Sequence, residues 1–233
     1  MIIDYLGHSG FLVETGNTLM LFDYYRGDLS PAAKKAQDKP LFVFASHAHP
    51  DHFNPEIFSL AAGGRRVKYL LSSDVRRVFA PPADADVAFL GADGEYEVEG
   101  LGQVRTLRST DQGVAFLVDT GSETLFHAGD LHCWAWPGEP EAELAAQERA
   151  FLREIEKLAG TRIDAAFVVV DDRLEENYAL GASFFLSLCK PANLLPMHFW
   201  RDAGVVGRFA RLPETLASGT RVLDTANETH WEI

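Results

Sequence analysis

The stretch that most restricts the fold is residues 41–64, LFVFASHAHPDHFNPEIFSLAAGG. Its opening, LFVFAS, is a short and almost unbroken apolar run, which suits a strand covered on both faces better than one with a solvated side. Its close reads as the start of a helix. Asn54 is a capping residue, Pro55 suits the first helical position, and Gly63 and Gly64 can end the helix. Between these parts, His47, His49, Asp51 and His52 fall within six consecutive positions. The chain must therefore bring a buried strand directly into a helix, with a cluster of metal-ligating side chains at the junction.

Most of the remaining sequence divides into short strands and a few helices. IIDYLG and FLVET, a turn at Gly16-Asn17, and TLMLFDYY read as opening hairpin strands, with a polar connector from Arg26 to Pro40. VKYLLS, VAFLG, EYEVEG and QVRTLRS read as strands. SDVRRVF reads as a short helix capped by Ser73 or Asp74, and GVAFLVDTGSETLFHAGD as a second hairpin turning at Gly121-Ser122. The clearest helix is EPEAELAAQERAFLREIEKLAG, where Leu144, Phe151, Leu152, Ile155 and Leu158 recur at helical spacing before Gly160. IDAAFVVV and ANLLPMHFW read as buried strands, LEENYALGASFFLSLCK and ARLPETLAS as helices, and HWEI as an edge strand. Neither linker nor repeat divides the chain, so residues 1–233 are expected to form a single domain. Hairpins mixed with strand–helix units predict an α+β fold, a four-layer αββα sandwich of two mixed sheets.

The formal net charge of −13 argues against nucleic acid as a partner, because Lys and Arg occur only in short clusters such as Lys34-Lys35, Arg65-Arg66 and Arg76-Arg77. No apolar run approaches the roughly 20 residues that span a bilayer. The N-terminus alternates like a strand and carries no basic leader, and the two cysteines, Cys133 and Cys189, form no CxxC pair. A cytoplasmic protein is the expectation. The oligomeric state stays open, a homo-oligomer included.

Residues two apart in extended chain point to one side, so His47 and His49 can share a metal ion. Asp51 and His52, where the chain turns toward the helix, can aim at a second ion roughly 3.5–4 Å away. Imidazole and carboxylate suit zinc, iron and manganese at hydrolytic centres. A polar loop with ordinary hydrogen-bonded histidines is the competing account. It explains one histidine better than it explains this pattern.

HxHxDH after a buried apolar strand resembles the signature of the metallo-β-lactamase-fold hydrolases. GHSGFLVE and LMLFD resemble the opening hairpin of the branch that includes ascorbate-6-phosphate lactonase, LFHAGD the strand before the bridging aspartate, and LLPMHFW the last-histidine strand. The resemblance covers nearly the whole chain. It implies that His47 and His49 hold a first ion, that Asp51, His52 and His198 hold a second, and that Asp130 bridges them. Asp51 and Asp130 are then also the candidate catalytic residues. Water on such ions ionises near neutrality, and the resulting hydroxide attacks an acyl, phosphoryl or lactone centre while the ions polarise the substrate oxygen.

The sequence departs from that pattern at one place. Most relatives carry another histidine between the cluster and the bridging aspartate, but LRSTDQGVAFLV contains none. Asp111 stands closest to the expected position, although it could equally be a turn residue before Gly113. His132, two residues beyond Asp130, is the second choice, and His127 is expected to pack within its strand. With Asp111 the centre has three carboxylates, a harder site that favours manganese or iron over zinc. Further candidates are His8, as a substrate residue or a support of the ligands, and Asp23, as a partner of a ligating histidine. Arg173 is a candidate for binding a substrate carboxylate or phosphate, with a salt bridge to a neighbouring aspartate as its structural alternative. Trp134, Trp136 and Trp200 could wall a pocket or belong to the core.

The function expected is metal-dependent hydrolysis of a small, anionic ester, lactone or phosphoester, with two divalent ions or one as cofactor. A nuclease or phosphodiesterase on the same fold and a non-catalytic metal-binding domain with an incomplete first site are the alternatives. A flavin-linked di-iron protein is disfavoured because His49 is present, and a drug-hydrolysing β-lactamase because no export signal is legible. Asp111→Ala is expected to lower metal content and affinity; unchanged content by mass spectrometry would remove Asp111 from the ligand set.

Overall fold

The computed structural model describes residues 1–62 and 64–233. Six strands come first: β1 (Ile2–Gly7), β2 (Gly10–Glu14), β3 (Leu19–Phe22), β4 (Leu41–Ala45), β5 (Val67–Ser72) and β6 (Asp86–Leu90). They lie side by side in chain order and form one sheet. The next seven form the other: β7 (Glu95–Val98), β8 (Gly102–Arg108), β9 (Val114–Asp119), β10 (Thr124–His127), β11 (Ala165–Val169), β12 (Asn193–Met197) and β13 (Arg221–Val222). The last strand, β14 (His230–Glu232), returns to the first sheet and pairs with β1 at its edge. Each sheet is mixed. Pairing is antiparallel from β14 to β3 and parallel from β3 to β6. It is antiparallel from β7 to β10 and parallel from β10 to β13.

The continuous apolar runs have a direct explanation. Side chains of a strand alternate between faces, and here both faces of the first sheet are covered. Phe11, Val13, Met20, Phe22, Phe42 and Phe44 point toward the second sheet. Leu12, Leu19, Leu21, Leu41, Val43 and Tyr69 point the other way, into a separate cluster with Ala32, Ile57 and Leu60. Between the sheets the contacts are aromatic. Phe11 and Phe167 lie 4.3 Å apart by ring centroid, and Phe44 meets Phe116 at 5.1 Å, beside Phe22, which stacks on Phe44 within the first sheet at 4.6 Å. His127 belongs to this layer: its ring lies parallel to that of Phe22 at 5.1 Å and its Nε2 donates to the Ser9 carbonyl at 2.9 Å.

Helices close the two outer faces. A short α1 (Ser30–Lys34), within what reads as a connector, contributes Ala32 to the outer cluster of the first sheet. Against the second sheet lie α2 (Glu141–Ile155), α3 (Leu180–Leu188), α4 (Gly204–Phe209) and α5 (Pro213–Ser218). Phe151, Ile155, Phe185 and Phe209 extend the central core to that side. The result is the α+β sandwich expected, with helix, sheet, sheet and helix as its layers.

Three helical segments differ in detail. The segment after the histidine cluster is a 3-10 helix over Pro55–Ala61, with the Asn54 side chain accepting from the Glu56 amide as a cap should. Gly63, expected to help end it, lies outside the described residues. SDVRRVF holds only a 3-10 turn, Val75–Arg77, and Asp74 makes no side-chain cap there because its carboxylate is engaged elsewhere. LEENYALGASFFLSLCK is not one helix: a 3-10 segment (Asp172–Asn177), itself kinked at Glu175 with φ 52°, precedes the separate α3. Among the described residues no helix is long and apolar enough to cross a membrane, and both cysteines are buried free thiols.

Phe167 touches both sheets and is fully buried. Phe167→Ala is therefore expected to cost about 3–5 kcal/mol of stability, read as a lower urea midpoint at unchanged slope; a loss well below that would mean the two sheets do not depend on this contact.

Candidate metal centre

Parallel strands end on the same rim, and this chain places its chemistry there. Asp23 follows β3, His47–His52 follow β4, Asp130 follows β10, Asp171 follows β11 and His198 follows β12. His8 occupies the β1–β2 turn and Asp111 the β8–β9 turn at the same rim. Backbone bonds join the two sheets at this point. The His198 amide donates to the His8 carbonyl at 3.0 Å, and the Val114 amide to the Ser46 carbonyl at 2.9 Å. Thr110 Oγ1 donates to the His132 carbonyl at 2.6 Å and accepts from the His132 amide at 3.0 Å, fixing the Asp111 turn to the Asp130 loop.

Two groups of side chains result, each offering ligand atoms within 4.8 Å of one another: His8, Asp51, His52 and His198, and His47, His49, Asp111 and Asp130. Asp130 lies between them. Its Oδ1 is 3.1 Å from His52 Nε2 and 3.2 Å from His198 Nε2, while its Oδ2 is 3.4 Å from His47 Nε2. In the second group His47 Nε2 and His49 Nδ1 are 3.0 Å apart, and Asp111 Oδ2 is 3.6 Å from His49 Nδ1. His8 Nε2 is 3.1 Å from Asp51 Oδ2.

Behind the ligand atoms lies a layer that fixes the rings. Asp23 is completely buried. It accepts from the Ser46 amide at 2.7 Å, from the Ser46 hydroxyl at 2.6 Å and from His52 Nδ1 at 2.7 Å. The Ser46 hydroxyl can in turn accept from His47 Nδ1 at 3.0 Å. Asp171 accepts from His198 Nδ1 at 3.0 Å and holds Arg173 through both Nε and Nη2. Each of these bonds places the proton on Nδ1 and turns a bare Nε2 toward the cleft, the arrangement a metal-ligating imidazole needs. The conformation is strained where the site demands it, for His8, Asp23 and His198 all have positive φ (55°, 42° and 69°).

The electrostatics point the same way. His52 Nε2, His198 Nε2 and Asp130 Oδ1 are buried, converge on one point and lack any hydrogen-bond partner among the described residues. Such orphaned atoms are costly. Burial opposes charge on His52 and His198, but Asp130 outweighs it and raises both above the ordinary histidine value. Burial likewise opposes ionisation of Asp130, yet His198 and His52 hold its carboxyl well below the usual range. A buried carboxylate thus draws positive charge onto two imidazoles, and a divalent cation supplies that charge with the rings neutral. Burial lowers His47 to about 4, leaving it a neutral donor. Asp111 is raised, by burial and then by Asp130, a repulsion that a shared cation relieves.

The other candidates divide. His132 joins neither group; its ring packs against Gly181 and Trp134, and burial lowers it to about 3. Arg173 makes the salt bridge to Asp171 and also lines the cleft, its guanidinium 5.4 Å from the Trp136 ring and 5.1 Å from that of Trp200. Trp134 and Trp136 wall the same cleft, of about 290 Å³, together with Asp51, Asp111 and Asp130. Sequence reasoning passed over Ser46 and read Asp74 only as a helix cap. Asp74 Oδ2 accepts from the Ala48 amide at 2.9 Å and so holds the loop between His47 and His49; nothing local in the sequence links residues so far apart. Gly113 and Gly129 also went unread. A Cβ at Gly113 would lie 2.0 Å from the Ser46 carbonyl oxygen, and one at Gly129 2.5 Å from Ser46 Cβ, so both loops close on Ser46 only because they lack side chains.

Two mixed sheets with this rim of histidines and aspartates define a known class, and a family model described as the β-lactamase superfamily domain matches residues 2–198. A UPF0173 metal-dependent hydrolase of Nitratidesulfovibrio vulgaris is 30% identical over 226 residues, 93% of this chain and 87% of that protein. Another, from Symbiobacterium thermophilum, is 26% identical and spans 96% of each. Among solved structures, Igni18, a metallo hydrolase of Ignicoccus hospitalis, superposes with a TM-score of 0.67 at 16% identity, covering 100% of this chain and 98% of the other. The metallo-β-lactamase fold protein YhfI of Bacillus subtilis gives 0.67 at 14% identity, covering 99% and 98%. The chain belongs to the metallo-β-lactamase superfamily and, within it, to the UPF0173 family of metal-dependent hydrolases.

Asp23→Asn keeps the shape but removes the charge that Ser46 and His52 share. It is expected to weaken metal binding about 10–100-fold, measured by competition with a coloured chelator; affinity equal to wild type would show that the Asp23 charge does not support the ligands.

Proposed function

We propose that this chain hydrolyses a small, anionic ester, lactone or phosphoester at a centre of two divalent ions. One observation carries the reading: three buried polar atoms, His52 Nε2, His198 Nε2 and Asp130 Oδ1, converge at 3.1 and 3.2 Å with no group but one another to meet. Asp51, His52, His198 and Asp130 Oδ1 would hold one ion, and His47, His49, Asp111 and Asp130 Oδ2 the other. Zinc, manganese or iron suits these donors. Bound there, the ions would supply a readily ionised water and a Lewis acid for the substrate oxygen.

The chain's own groups do the rest. His8 Nε2–H donates to Asp51 Oδ2 and so turns that carboxylate toward the cleft, where it can take a proton from the attacking water. Asp171 takes up Arg173 Nε and Nη2, which leaves Nη1 to meet an anionic substrate group. Trp134 and Trp136 exclude water from one wall. The cleft volume of about 290 Å³ suits a small molecule.

A lactone substrate, as in the ascorbate-6-phosphate lactonase branch, fits the opening hairpin that sets His8 beside Asp51. A nuclease is the weaker reading, since Arg173 is the one Lys or Arg of a cleft with three aspartates, on a chain of net charge −13. A decayed metal-binding domain is weaker too, because Asp111 stands within ligand distance of His47, His49 and Asp130. The core, which runs from Ile3 to Trp231, supports one domain over residues 1–233. Two buried free thiols agree with a reducing, cytoplasmic setting.

The test joins metal content to turnover. Protein purified without chelators should contain divalent metal by mass spectrometry and hydrolyse members of a panel of lactones, carboxylic esters and phosphoesters. Chelation should abolish turnover, and Asp130→Asn should lower kcat/KM by more than about 100-fold, beyond the loss caused by a ligand's partner. A metal-loaded chain inert toward the whole panel would favour the non-catalytic reading.

A further inference from the structure

We propose that the two ion positions are unequal: an inner one, at Asp51, His52 and His198, keeps its ion, and an outer one, at His47, His49 and Asp111, exchanges its ion with solution. The inference rests on the two-ion reading above and adds to it which ion is permanent. Donor type does not separate the positions. With His8 Nε2 engaged by Asp51 Oδ2, each has two free imidazoles, one carboxylate of its own and one oxygen of Asp130. Their surroundings do.

Exposure is the first difference. At the inner position the side chains of His52, His198 and Asp51 are 0%, 2% and 20% exposed, whereas at the outer one His47 is 0% exposed but His49 and Asp111 are 40% and 41% exposed. Water can reach two of the outer donors, solvate them when the ion leaves and carry the ion away. The second difference lies behind the rings. His52 and His198 are each backed by a buried carboxylate, Asp23 and Asp171. His47 is backed by a hydroxyl, that of Ser46, and no partner holds His49 Nε2 among the described residues. A carboxylate partner makes an imidazole a stronger donor and fixes its orientation. The third difference is what each position does without an ion. Emptied, the inner one leaves His52 Nε2, His198 Nε2 and Asp130 Oδ1 buried with only one another in reach, and they can pair only by taking up protons. In the outer one His47 Nε2 and His49 Nδ1 stand 3.0 Å apart and can share a hydrogen bond. An outer ion can therefore depart at small cost, and its identity follows the divalent ion that the surroundings supply.

The full chain, loaded with Mn²⁺ or with Zn²⁺, would be dialysed against metal-free buffer, and the ions counted by native mass spectrometry and titrated against a colorimetric chelator. One ion should remain and the second should bind at least about 10–100-fold more weakly, the span that such partners contribute. His49→Ala should keep the retained ion at unchanged affinity and fail to take the second. His198→Ala should lose the retained ion. Asp171→Asn, which leaves the ligand ring in place, should weaken the retained ion about 10–100-fold and spare the other, so the test does not depend on one variant folding. Two ions of equal affinity, or His49→Ala and Asp171→Asn weakening both ions alike, would overturn the inequality and leave the two-ion centre standing. Wild-type protein that binds no ion would overturn both.

Discussion

A fully buried carboxylate, Asp23, is the anchor of this molecule's chemistry. It takes two hydrogen bonds from Ser46 and one from His52. It thereby pins both ends of the six-residue stretch that carries the histidine cluster. Burial alone would drive such a group to protonate, yet the histidines and Ser46 around it hold its pKa below the ordinary value. The charge is stable because three hydrogen bonds converge on it, and the rings are aligned because the charge is there. His47 is oriented through the Ser46 hydroxyl, so one aspartate reaches both groups of candidate ligands.

The sheets serve this arrangement by direction and closeness. Parallel pairing sends the ends of β3 and β4 in one sheet, and of β10, β11 and β12 in the other, to a common rim. The aromatic layer of Phe11, Phe22, Phe44 and Phe167 holds the two sheets at a fixed spacing beneath that rim. Close approach of the turns at Gly113 and Gly129 to Ser46 then brings in Asp111 and Asp130. Each group of candidate ligands thus takes side chains from both sheets, and its geometry depends on how they pack.

Much of this was legible beforehand. The continuous apolar runs announced strands buried on both faces, and the spacing of α2 announced its extent. The cluster itself stood out because metal chemistry needs those residue types at such spacing, and Asp130 and His198 followed from the family resemblance that the cluster opened. The 3-10 form of Pro55–Ala61 and the kink at Glu175 did not show, because short helical signals leave the hydrogen-bonding pattern open. The roles of Ser46 and Asp74 did not show either, since each acts through a partner that only the packing supplies.

The sequence by itself determined the fold class, the class of chemistry and the residues able to take part. Periodicity and ligand type are properties of residues and their near neighbours, so a linear reading reaches them. The tertiary structure decided which residues meet: that Asp111 stands beside His49 while His132 packs behind the site, that Arg173 is joined to Asp171, and that His52 and His198 are buried while His49 and Asp111 are open to water. Those outcomes depend on distances between segments far apart in the chain, and such distances exist only once the two sheets have closed on each other.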